Sequence, residues 1–454
     1  MAAAGRCGRA VLALALAAWL EQTRAQTLPA PAEPDLSALD AALESGDGHF
    51  AQMQWARGQR IWGDHQGLLR RAPALPAKAP AVPVGGFSLG PRLALGASEL
   101  PPARRVAPGL ASRAGGSSWL SDGRALWRLE PERGAVRVLV ASPEADPLRS
   151  GLSGRHGPAR APLCTSGEHA LVAFGGELWR SDGRRVPPAD LRGTLEFVDL
   201  APAARGRIHV LARQYTDPSA VQAYLLELDP RSLEWLEIWP LGGGIDALLY
   251  DYPPPLEPPP RVSPAAGIAQ LPDGWALDPG CGLLIDWDPW QRRVLGSWPA
   301  APRPEHPLRP RQLPPPAVFA SERGWHWAPT SAPGVLTLDL AGRVVEEVPL
   351  EGEWLGHVEG RDVWLRAEFD TPLLCVGSQT LRLGALHEAV LGWHWLEAGV
   401  FLAVLERSVV LGALASDGPR LLAREPLEQA FAGPVSVSTG WIASAEQALV
   451  LRLR

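Results

Sequence analysis

Residues 118–140 read SWLSDGRALWRLEPERGAVRVLV, and they set the reading of the whole chain. Ser118-Trp119-Leu120 is a short apolar run closed by Asp122-Gly123. Leu126-Trp127-Arg128-Leu129 is a second, and the turn Leu129-Glu130-Pro131 leads to a third from Ala135 to Val140. Runs this short, rich in Trp, Leu and Val and bounded by Asp, Gly and Pro, predict strands joined by tight hairpins. Proline presets φ for the second position of a turn, and an acidic residue before it accepts hydrogen bonds from the turn backbone.

The unit recurs along the chain. The first run has counterparts at Ala170-Leu171-Val172, Ile208-His209-Val210, Gly274-Trp275-Ala276, Gly324-Trp325-His326-Trp327, Val363-Trp364-Leu365, Val400-Phe401-Leu402 and Gly440-Trp441-Ile442. The second returns at Leu178-Trp179-Arg180, Tyr224 to Leu228, Leu283-Leu284-Ile285, Val335 to Leu338, Leu373 to Val376, Val409-Val410-Leu411 and Leu449-Val450-Leu451. Successive second runs lie 36 to 58 residues apart. Four short strands per period of this size are the mark of a β-propeller, and helical solenoids do not alternate this way. The expected fold is therefore all-β, an eight-bladed propeller. Seven blades is the competing count, because the unit around Leu171 is weakly patterned. The last unit reaches Arg454 without an outer strand, and the apolar stretch at residues 87–95 is expected to supply it and close the ring.

The strand, Leu-Asp-Pro turn, strand order at Leu228-Asp229-Pro230, echoed by Trp287-Asp288-Pro289, resembles the repeats of bacterial quinoprotein-like and related periplasmic propellers. The resemblance covers residues 115–454 and implies the fold. It implies no quinone chemistry, since nothing here matches a quinone clamp or its calcium site, and no cofactor is expected.

Before the repeats, Arg6 and Arg9 precede an apolar run from Ala10 to Leu20 that ends in Thr23-Arg24-Ala25. This is the layout of a secretory signal covering residues 1–25, too short to span a bilayer, with cleavage after Ala25. Residues 26–84 read as an Ala/Pro-rich arm holding one or two short helices. Leu36, Leu39, Ala42, Leu43, Met53 and Ala56 fall there at helical spacing. Residues 85–454 form the propeller. The expected location is the periplasm or the exterior, with no transmembrane segment in the mature chain.

The net charge of −6 falls to about −8 without residues 1–25, and the arginine pairs are scattered without interleaved aromatics, which argues against a nucleic-acid partner. There is no asparagine, hence no N-glycosylation acceptor. Cys164, Cys281 and Cys375 lie too far apart for a metal motif and do not make a disulfide framework, though the sequence leaves room for one pair.

No nucleophile elbow, zinc-protease helix, phosphate loop or Cys-x-x-Cys pair occurs, so no catalytic residue is assigned. The expectation is a non-catalytic binding or scaffolding propeller of the cell envelope. It would recognise a protein, peptide or glycan through unequal loops on one face: residues 143–162, 242–264 and 299–316, with the hairpin at 215–220. The rim residues are Tyr215, Asp217, Tyr250, Tyr252, Arg261, His306 and Arg309. The alternative is an envelope glycan-acting or other propeller enzyme using channel-mouth carboxylates, for which the acidic residues Asp246, Asp251, Asp273, Asp278, Asp286 and Asp288 cluster around the fourth unit, with Asp286 and Asp288 as pocket candidates. His326 and His394, each inside a Gly-Trp-His-Trp sequence, are pocket candidates, although alternation in a strand favours packing between blades.

Overall fold

A computed structural model of the chain describes residues 36–74, 85–95, 107–112, 118–140, 160–243, 267–297, 318–349 and 352–454, apart from short breaks within these spans. The proposed signal lies outside the described residues. Eight antiparallel sheets form the bulk, seven of four strands and one of three. These are the blades of an eight-bladed β-propeller. Blades 1 to 7 occupy 109–140, 163–180, 194–243, 267–297, 318–349, 353–382 and 390–426, and blade 8 occupies 436–453 plus one strand from the start of the chain.

The repeated runs of the sequence are the second and third strands of each blade. The first strands stand side by side in pairs around the ring, and Ser436–Val437 of blade 8 comes back beside Gly109–Ser112 of blade 1. Phe87–Ala94 is the outermost strand of blade 8, paired antiparallel with Gln447–Leu453 from Phe87 opposite Leu453 to Ala94 opposite Gln447. Gly85 and Gly86 donate backbone hydrogen bonds to the Arg454 carbonyl.

The core is divided among the junctions between blades. On His169–Phe174, Leu171 and Ala173 pack toward blade 3 while Ala170, Val172 and Phe174 pack toward blade 1. Successive side chains of a strand point to opposite faces, and here both faces are covered. This is why the middle strands read as continuous apolar runs. Tryptophans carry much of the filling: Trp119, Trp275, Trp287, Trp325, Trp327, Trp354, Trp364 and Trp441 are all buried. Burying a large side chain fully contributes about 1.5–3 kcal/mol.

Blade 2 is the three-stranded sheet. In place of a regular outer strand, residues 184–189 bring Val186 and Ala189 into the core, with Val186 N donating to the Leu178 carbonyl at 2.9 Å. The buried Arg180 donates to the carbonyls of Pro230 (2.9 Å) and Arg231 (3.0 Å) and pairs with Asp182, tying blade 2 to the Asp-Pro turn of blade 3. That guanidinium holds the Asp182 carboxyl down at about 2.

Among the described residues the arm holds three helices, Ser37–Ser45, Gly48–Trp62 and Gln66–Arg71, where the sequence predicts one or two. The third starts because the His65 ring caps it, accepting from Gly67 N at 3.1 Å. Arg71 clasps Asp40 of the first helix at 2.5 and 2.6 Å. Helices this short are marginal alone. They are held by burying Leu39, Ala42, Ala51, Met53 and Leu68 in the same cluster as Leu211, Leu225, Trp275 and Trp287, at the junction of blades 3 and 4.

Candidate functional site

Among the described residues, the strands of blades 3 and 4 differ in length. The second and third strands of blade 3, Ile208–Asp217 and Ala220–Asp229, have 10 residues each, while those of blade 4, Gly274–Asp278 and Leu283–Trp287, have 5. Their lower ends are level. Trp275 Nε1 donates to the Pro202 carbonyl at 3.1 Å, and Pro202 stands opposite Ile208. Higher up, Ile268 N donates to Asp199 Oδ2 at 2.8 Å; Ile268 is opposite Leu277 and Asp199 opposite Leu211, so Leu277 and Leu211 share a level. The blade 3 strand therefore runs on past Asp278, and at 3.2–3.4 Å per residue its tip rises about 16 Å higher. The tip is the hairpin in which Tyr215 faces Val221 and Asp217 faces Ala220, with an irregular register between Tyr215 and Asp217. The backbone thus puts two predicted rim residues on the projecting hairpin. Tyr250, Tyr252, Arg261, His306, Arg309 and Asp288 lie outside the described residues.

Of the acidic candidates, Asp278 and Asp286 are described, and both are buried. Asp286 is buried and forms an ion pair with Arg57 of the helix Gly48–Trp62, Nη2 to Oδ2 at 2.9 Å, with side-chain exposures of 4% and 5% respectively. Asp278, also buried, accepts from Trp327 Nε1 at 3.0 Å across the junction with blade 5. On the first strand of blade 3, Asp199 accepts backbone N–H bonds from Ile268 and Leu200, and burial pushes its carboxyl up from its usual range.

His326 is buried between blades 5 and 6. Its two ring nitrogens lie beside hydroxyls: Ser321 Oγ at 2.9 Å from Nε2 and Thr337 Oγ1 at 3.2 Å from Nδ1. Its ring lies against that of His357, with centroids 3.5 Å apart and planes 7° from parallel. His357 Nδ1 is 3.0 Å from Asp362 Oδ1, and the same oxygen accepts from Trp354 Nε1 at 3.2 Å. Donor atoms of His326, His357 and Asp362 all lie within 4.8 Å of one another, the group among the described residues that could share a metal ion. His394, in the second Gly-Trp-His-Trp copy, sits apart on the first strand of blade 7. Burial and then the charge of Arg160 press its ring down to about 4.

His357, Asp362 and Arg57 were not singled out by the sequence. His357 and Asp362 are opposite each other across the tight hairpin between Glu353–Val358 and Arg361–Glu368. The five-residue His-to-Asp spacing across Gly360 is the signal the sequence offers. Nothing local could foretell that Arg57 reaches Asp286. Cys164 and Cys375, on blades 2 and 6, are both free, so that pairing is not made.

No known family pattern matches the chain, and no curated protein matches its sequence. Its shape is similar to the WD40 domain of SCAP from fission yeast, at 9% identity and a TM-score of 0.37, over 77% of this chain and 96% of that one. It is also similar to BBS1N in complex with ARL6DN, at 10% identity and 0.39, over 81% and 97%. A puromycin-hydrolysing peptidase of Mycobacterium tuberculosis matches at 12% identity and 0.35, over 80% of this chain and 52% of that one.

Proposed function

We propose that the protein is an exported binding propeller of the cell envelope, cleaved near Ala25, which recognises a protein, peptide or glycan through the raised rim of blades 3 to 5. The observation that carries this reading is the blade 3 hairpin, standing about 16 Å above the level of Asp278 in the neighbouring blade at the usual strand rise. The rim joins this hairpin to the long connections at 242–264 and 299–316, with Tyr215, Asp217, Tyr250, Tyr252, Arg261, His306 and Arg309 as contact residues. Proline-rich connections lose less conformational freedom on binding than glycine-rich ones, which favours recognition by pre-organised loops. The competing reading, a glycan-acting enzyme, needs a pair of available carboxylates. Asp286 is committed to Arg57 and Asp278 to Trp327, so neither is free to serve.

The test is affinity capture from envelope extracts with the mature protein and with a variant whose 244–264 connection is replaced by a short Gly-Ser link. A partner retained by the first and lost by the second, with both melting alike, supports the rim. Equal recovery of every partner from both sinks it.

A further inference from the structure

The junction of blades 5 and 6 differs from an ordinary apolar junction. Val335, Trp354, Trp364 and Cys375 fill part of it, and the rest is a chain of polar groups from adjacent blades. His357 and Asp362 flank one inner hairpin, Ser321 and His326 the next, so the group lies at the end of the blades opposite the raised hairpin.

Plain packing does not account for the arrangement. Flat rings avoid complete face-to-face overlap and settle into offset or edge-on pairs. His326 and His357 instead lie face to face at 3.5 Å. The backbone is shaped to put them there. The register slips between Trp354 and Gly356, and Gly356 has φ +146°, where a side chain is strained and a Cβ would fall 2.4 Å from the Phe319 ring. Such bulges re-aim the residue beside them, here His357.

We propose that His326, His357 and Asp362 form a binding site for a divalent transition metal of the zinc class, linking blade 5 to blade 6. Two imidazoles and a carboxylate are a donor set that zinc, cobalt and nickel accept, whereas magnesium and calcium call for oxygen alone. With bonds of 2.0–2.2 Å, tetrahedral ligands sit about 3.4 Å apart. His357 Nδ1 and Asp362 Oδ1, at 3.0 Å, need to open by only a few tenths of an ångström as the ion replaces the proton they share. That proton leaves to solvent. The His326 ring tilts off the stack, giving one nitrogen to the ion and keeping a hydroxyl on the other. Whichever of Ser321 and Thr337 keeps its hydrogen bond then fixes the tautomer and orientation of the ring. The half-buried His357 and Asp362 form the side from which an ion enters. The fourth position is left to water.

The test uses the untagged full chain, stripped with a chelator and titrated with Co²⁺, Zn²⁺ and Mg²⁺. The expected result is saturable Co²⁺ binding with the visible bands of a four-coordinate ion, displacement by Zn²⁺, no response to Mg²⁺, and a rise in Tm that chelator reverses. His357→Ala and Asp362→Ala lose the bands, while one of Ser321→Ala and Thr337→Ala, the one that removes the retained hydroxyl, weakens binding by about tenfold. Should His357→Ala fail to melt cooperatively, His357→Asn, which keeps much of the volume, is read instead. Absence of saturable Co²⁺ binding, or binding unchanged in the folded His357 and Asp362 variants, overturns the proposal.

Discussion

A histidine on an inner strand shows how much one ring can impose on the molecule. His394 sits between the Trp393 and Trp395 rings in sequence, and burial presses its affinity for a proton from 6.5 down to about 4. In the unfolded chain the ring takes up its proton near 6.5; in the folded protein it waits until about 4. Between those values the unfolded state binds more protons, so folding loses stability as the pH falls through that window and none above it. The urea midpoint is expected to drop between pH 7.5 and 4.5, and His394→Gln is expected to lose less. Parallel loss in both proteins would show that His394 is not the source. At the same scale, Asp182 works in the same direction from a different cause: its carboxyl, held at about 2 by Arg180 against an ordinary 3.8, also releases its proton more readily when folded, so its contribution is lost as the pH falls through that lower window.

Among the elements, the arm has the most at stake in a single contact. Arg57 and Asp286 are an ion pair withdrawn from water, and removing one partner of such a pair leaves the other charge buried at a cost of about 3–5 kcal/mol. Arg57→Ala is expected to lose that much in urea unfolding, and to expose the helix Gly48–Trp62 to protease. The double change Arg57→Met with Asp286→Leu should cost much less. Equal losses would mean that the pair contributes nothing beyond packing. The strands show what kind of information a sequence carries. The second and third strands of each blade were legible because apolar runs and turn residues alternate at a steady period, and the Leu-Asp-Pro turn is realised in Asp229 Oδ1 accepting from Arg231 N at 2.7 Å. Several first strands were not, since pieces as short as Ser436–Val437 or Gly109–Ser112 have too few residues to show a period. The blade 2 irregularity was visible only as weakness around Leu171. The His326–His357–Asp362 group needed two blades to be brought side by side, and no local pattern records that neighbourhood.

For the whole molecule, the decisive pairing is Phe87–Ala94 with Gln447–Leu453, which turns a row of blades into a ring. Without it, Gln447–Leu453 presents a free edge, an invitation to pair with another chain. A chain beginning at residue 96 is expected to elute as oligomers and to scatter light on heating, and a peptide of residues 85–95 should reduce both effects. A monomer that melts like the full chain would show that the ring does not depend on its seam. The pairing also imposes an order in time. Phe87 cannot meet Leu453 until that residue has been synthesised, which at about 5–20 residues per second leaves the early strand waiting roughly 20–70 s. Its own sequence suits the wait: Gly90, Pro91 and the slip in register between Leu89 and Arg92 make it a poor template for a stray strand. The seam is thus a clock as well as a clasp, and the ring is complete only once the last blade exists to receive the first strand.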